Sequence, residues 1–207
     1  MKIQIKFLVV TAILCFATVI TKAEKFSIKV AGNHSFILKL SDINTDQIVV
    51  RLDDSKGISV YEENLSMEKP IRRKYDLHEL PEGTYHLFVI YNKITKVQTI
   101  EKTYEMLDIS SDDQQTIFQP IFRQHEQFLD MDMLCLSEMN VSISIHDSQG
   151  NIIYDESSDK YHGSFAKRFN LSLLSGGSYS FTVSVQNGQV QKNFSEIVEW
   201  APALSSL

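Results

Sequence analysis

Ten residues of this chain recur 93 positions later, and that self-similarity constrains the fold more than any other feature. Asp54-Ser55-Lys56-Gly57-Ile58-Ser59-Val60-Tyr61-Glu62-Glu63 returns as Asp147-Ser148-Gln149-Gly150-Asn151-Ile152-Ile153-Tyr154-Asp155-Glu156, with five positions identical and two more conservative. A second block, Tyr75-Asp76-Leu77-His78-Glu79-Leu80-Pro81-Glu82-Gly83-Thr84-Tyr85, returns at a shift of 94 as Phe169-Asn170-Leu171-Ser172-Leu173-Leu174-Ser175-Gly176-Gly177-Ser178-Tyr179. The order is kept and the offset changes by one residue. A period this long describes two tandem copies of one domain rather than a solenoid. Copies of about 80–90 residues are large enough for a sandwich to bury its own core.

Both blocks have a physical meaning. The first is turn chemistry: Asp54 and Asp147 can cap the bend through their side chains, and Gly57 and Gly150 supply the positive-φ position. Each turn follows an alternating apolar strand, Ile48, Val50 and Leu52 in copy one and Val141, Ile143 and Ile145 in copy two. The second block is Leu-x-x-Gly-x-Tyr followed by alternation. It resembles the corner before strand F of Greek-key sandwiches, where a tyrosine hydroxyl bonds back to upstream backbone. Leu80, Gly83 and Tyr85 form that corner in copy one, and Leu174, Gly177 and Tyr179 in copy two.

The alternation predicts seven strands per copy. They fall at 25–30, 34–40, 46–53, 57–62, 70–77, 83–91 and 94–102, then at 116–122, 127–136, 139–146, 151–156, 164–172, 177–186 and 189–198. Asn187-Gly188 marks a hairpin. The expected fold is all-β: two tandem immunoglobulin- or fibronectin-III-like Greek-key sandwiches, 24–104 and 116–200. The polar stretch 105–115 reads as a linker and 201–207 as a short tail. No Cys-Trp-Cys pattern exists, which excludes antibody-type domains.

Residues 1–23 read as a cleaved signal peptide, with Lys2 and Lys6 ahead of an apolar run from Phe7 to Ile20 and small residues at Thr21 and Ala23. Cleavage places Glu24 first and leaves no transmembrane segment. Lipidation at Cys15 is rejected, because Leu14 stands where a small residue is required and the apolar run continues past the cysteine. Removing Lys2, Lys6 and Lys22 takes the net charge from −6 to −9. An acidic surface repels phosphate backbones, so nucleic acid is not an expected partner. Cys135 is then alone, cannot form an internal disulfide, and in Leu134-Cys135-Leu136 reads as a small core residue.

No catalytic, cofactor or metal site emerges. The histidines at 34, 78, 86, 125, 146 and 162 lack metal-ligand spacing. Asp53 and Asp54 belong to a turn and have too few oxygen neighbours in register for a calcium loop. Asp130-Met131-Asp132-Met133 alternates as a strand with outward carboxylates. Arg72-Arg73-Lys74 is the one basic run and reads as charge that protects a strand edge. The Asn-x-Ser sequons at Asn33, Asn64, Asn140, Asn170 and Asn193 read as incidental.

With these motifs in place the chain resembles two kinds of secreted β-sandwich module from Bacteroidetes: immunoglobulin-like small exported proteins and the C-terminal sorting tail of type IX secretion cargo. The likeness rests on residues 48–61 and 75–96, above all Asp76-Leu77-His78-Glu79-Leu80-Pro81-Glu82-Gly83-Thr84-Tyr85. Copy two has Asn170 and Ser175 where the pattern prefers Asp and Pro. The resemblance implies the fold and a secreted, periplasmic or cell-surface location. Three roles follow. The first is a non-catalytic module presenting loops and edge strands to a protein or glycan. The second is an export-linked protein whose second sandwich is a sorting domain. The third is a two-domain periplasmic chaperone, against which the acidic linker argues.

Overall fold

In the computed structural model, residues 25–188 and 190–201 are described. The expected signal peptide, Cys15 and residues 202–207 lie outside them. The strands are β1 (Lys25–Val30), β2 (Ser35–Ser41), β3 (Gln47–Asp54), β4 (Ser59–Ser66), β5 (Ile71–Asp76), β6 (Gly83–Tyr91), β7 (Ile94–Lys102), β8 (Leu107–Asp108), β9 (Gln114–Phe118), β10 (Ile121–His125), β11 (Phe128–Asp147), β12 (Ile152–Asn170), β13 (Gly177–Asn187) and β14 (Val190–Trp200). All pairings are antiparallel. No helix among the described residues is long and apolar enough to cross a membrane.

In the first half, β1-β2-β5 form one sheet and β4-β3-β6-β7 the facing one. Their inward residues make a closed apolar layer that includes Phe36, Leu38, Val50, Leu87, Val89 and Ile100, all at most 1% exposed. The second half repeats the scheme with longer strands. β10 and the last part of β12 flank the first part of β11, while β13 and the first part of β12 flank its last part. β11 and β12 thus each serve both layers.

The long strands depart from the expected boundaries, 127–136 with 139–146 and 151–156 with 164–172. In β11 the buried positions 129, 131, 133, 135, 139, 141, 143 and 145 keep one phase throughout, and Leu136-Ser137-Glu138 offers no Gly or Pro to end the strand. The change of sheet is absorbed instead by register shifts between Cys135 and Val141. β12 bends at Lys160 and Gly163, which hold φ of +53° and +105°.

A second departure lies between the halves. Pro120 divides the strand expected at 116–122, since it has no N–H to give a ladder and restricts the residue before it. The part before it, β9, pairs with β7 of the first half over five residues and touches β11 through one bridge, Cys135 to Ile117. The stretch read as a linker contains β8, also paired to β7. There Leu107 is buried and its amide donates to the Asn33 carbonyl at 2.7 Å, and Gln98 donates to the Ser110 carbonyl at 2.8 Å. Pairing therefore runs unbroken from β4 to β14.

Candidate functional site

The residues singled out by the repeat act on the backbone. Asp54 Oδ1 accepts from the amides of Lys56 and Ile58, both at 2.9 Å, and Asp147 Oδ1 accepts from those of Gln149 and Asn151 at the same distance. Gly57 and Gly150 sit at φ of +78° and +84°, where a side chain would be strained. The amide of Asn151 and its side chain hold the Asp147 carboxyl below the usual range, the side-chain bond contributing most.

At the corners, the Tyr85 hydroxyl donates to the Pro81 carbonyl and that of Tyr179 to the Ser175 carbonyl, each at 2.8 Å. Gly83 and Gly177 open β6 and β13, and Leu80 and Leu174 pack against their respective cores. These ten residues stand in two equivalent sets, one per half, and the fold does not bring the sets together. Cys135 is buried, and burial pushes its thiol up. Asp130 points outward and takes two hydrogen bonds from Arg168, at 2.6 and 2.8 Å, while Asp132 pairs with Arg123. No group of three or more metal-ligating side chains exists among the described residues.

Among several concave regions in the described residues, two are lined by aromatic rings or by buried unpartnered polar atoms. The first is a cleft of about 330 Å3 between the edges of β4 and β5, with Tyr61, Glu63, Arg73 and Tyr75 around an apolar floor that includes Phe36 and Leu52. The second, of about 280 Å3, lies between the halves and is lined by His86, Thr99, Glu101, Asp113, Gln115 and Asn187. There His86 Nε2 and Gln115 Oε1 are buried without a protein partner, as are Arg51 Nε and Asp53 Oδ1 nearby. Phe88 and Val97 of the first half pack into the core of the second, beside Val190.

Sequence reasoning missed both regions. Tyr61 and Glu63 nevertheless carried a signal, as two of the five identities in the first repeat block. His86 and Phe88 carried none, because they lie on the face of β6 expected to meet solvent.

Residues 127–197 match the family described as a secretion system C-terminal sorting domain. The match covers β11 to β13 and most of β14, so it falls on the second half and not on the first, whose residues carried the literal resemblance. No curated protein matches the chain. Among solved structures it is similar to the chicken interferon gamma receptor alpha chain, with 11% identity, 88% of this chain and 99% of that one covered, and a TM-score of 0.34. A two-domain fibronectin type-III segment of chicken tenascin aligns with 11% identity, coverage of 86% and 98%, and a TM-score of 0.31. The BSP domain of a biofilm-associated protein aligns with 9% identity over 86% of this chain and 30% of its own length, at a TM-score of 0.28.

Proposed function

We propose that the chain is an exported protein whose second half is the sorting module read by a type IX secretion apparatus, and whose first half is a non-catalytic binding unit exported with it. The match of residues 127–197 to a sorting-domain family carries the first part of this reading. It spans β11, β12, β13 and most of β14, the strands that build most of the second half. The open cleft in the first half supports the second part. No specific observation favours the chaperone alternative.

Export is tested in a host carrying the secretion apparatus. The full chain reaches the cell surface or medium, and a chain lacking residues 127–197 stays in the periplasm. A reporter fused to residues 116–207 guards against simple misfolding of the truncated chain, and it is exported while the same reporter fused to 24–104 is retained. Export of the truncated chain, or retention of both fusions, overturns the sorting role.

A further inference from the structure

The repeat sets four side chains at equivalent points of the two halves. In the β3–β4 ladder Tyr61 faces Leu52 and Glu63 faces Val50; 93 residues later Tyr154 faces Ile145 and Glu156 faces Ile143. On the opposite edge Tyr75 and Arg73 face Phe36 and Leu38, and their counterparts Phe169 and Lys167 face Leu129 and Met131. Each half therefore carries a tyrosine and a glutamate on one strand, and an aromatic and a basic residue on the strand across the opening.

In the second half this set closes on itself. The Lys167 ammonium donates to the Glu156 carboxylate and to the Tyr154 hydroxyl. Its nitrogen lies 5.0 Å from the centroid of the Tyr154 ring and 5.9 Å from that of Phe169. The two rings meet edge to face at 5.7 Å. Burial pulls the ammonium pKa down, but Glu156 and Tyr154 outweigh it and leave it raised. Ring faces plus one carboxylate make a strong cage for a cation on an aliphatic stem.

In the first half the same set is open. Tyr75 replaces the phenylalanine, and its hydroxyl donates to Glu63 at 2.5 Å while the Tyr61 ring meets it edge-on at 5.8 Å. A phenol satisfies one acceptor site of the carboxylate but brings no positive charge. Arg73 stands exposed at the rim and forms no ion pair among the described residues. At both tyrosines, burial first and Glu63 next raise the pKa, and Arg73 opposes them least. The cleft thus combines two tyrosine rings with a carboxylate that makes no ion pair among the described residues.

We propose that this cleft takes the ammonium of a lysine side chain from a partner protein, seated where Lys167 sits in the second half. A protein partner, rather than a free amine, is indicated by the walls. Among the described residues β4 pairs only with β3 and β5 only with β2, so each presents unpaired backbone groups along the cleft. An extended segment can hydrogen-bond to such an edge while one side chain enters the opening.

The proposal rests on the reading of the first half as a binding unit. Export is scored separately, so failure of binding leaves the sorting role standing.

The probe is acetyl-Thr-Val-Lys-Val-Thr-amide, titrated into the full chain and followed through the tyrosine side-chain resonances. It binds about tenfold more tightly than the same peptide with norleucine for lysine. Glu63→Gln removes that difference. Arg73→Lys abolishes binding, because the shorter ammonium closes the cleft from within. Lys167→Ala opens the second cleft and raises the stoichiometry from one peptide to two; if that variant unfolds, the first two variants still decide. Equal binding of the norleucine peptide makes the cleft an apolar slot, and n-butylammonium matching the peptide makes the ligand a free amine. No binding by the unmodified chain means Arg73 fills the cleft itself. Each of these three results overturns the proposal.

Discussion

Lys192 of the second half holds its ammonium 5.8 Å from the centroid of the Phe88 ring in the first half. Arg51 lies over the same ring at 4.9 Å and pairs with Asp53 at 2.9 Å. Burial, and next Arg51, pull the Lys192 ammonium below its usual range. The contact between halves is thus an apolar plate, Phe88 with Val97 and Val190, rimmed by charge.

Phe88→Ala is therefore expected to destabilise the full chain by about 3–5 kcal/mol, the usual cost of emptying a packed aromatic site. In an isolated 24–104 fragment the same substitution has little effect, because the ring there faces water. Chemical denaturation of both pairs checks this. An equal loss in the fragment would place Phe88 in the first half's own core.

His86 predicts the pH response of the same joint. Burial lowers its pKa, with Glu101 and Asp53 opposing more weakly. The unfolded chain therefore binds a proton at higher pH than the folded one does. Stability is full above the unfolded value of about 6.5 and falls as pH drops from there toward the lowered folded value. Denaturation midpoints measured from pH 7.5 downward should show this decline, and His86→Gln should flatten it. A decline unchanged in the variant would assign it to other groups.

The paired corners give matched expectations. Tyr85→Phe and Tyr179→Phe each remove a hydroxyl that serves a backbone carbonyl at 2.8 Å. Each should cost roughly 1–2 kcal/mol with an unchanged β-rich far-UV spectrum. If neither moves the denaturation midpoint, the hydroxyls are exchanged for water without loss.

Limited proteolysis should cut first at Tyr104–Met106, where Tyr104 is 82% and Met106 54% exposed between β7 and β8. Residues 114–118 should resist, since β9 is hydrogen-bonded to β7. Mass spectrometry of early fragments distinguishes the two. A first cut within 114–118 would mean that β9 detaches from β7 in solution.

Much of each half is legible in the sequence alone. Ile48, Val50 and Leu52, and Val141, Ile143 and Ile145, are buried as their alternation requires, because side-chain direction in a strand follows from the backbone alone. The turns at Asp54 and Asp147 and the corners at Tyr85 and Tyr179 were readable for the same reason: each is closed by residues at most four apart. Local chemistry of that range is written in consecutive residues.

What only the tertiary structure decided involves partners far apart in the chain. A propensity for extended backbone does not say which edge a strand joins, so β9 could be recognised as a strand but not as a neighbour of β7. The continuity of β11 depended on bulges that let one segment change sheets. The burial of Phe88 and the lone His86 nitrogen depended on the second half covering an outward face. Whether Glu63 or Glu156 meets a cation depended on how side chains settle across an opening between two sheets, with Lys167 reaching in and Arg73 remaining at the rim. The repeat itself determined that these positions are equivalent; long-range packing decided that one cleft is filled and the other open.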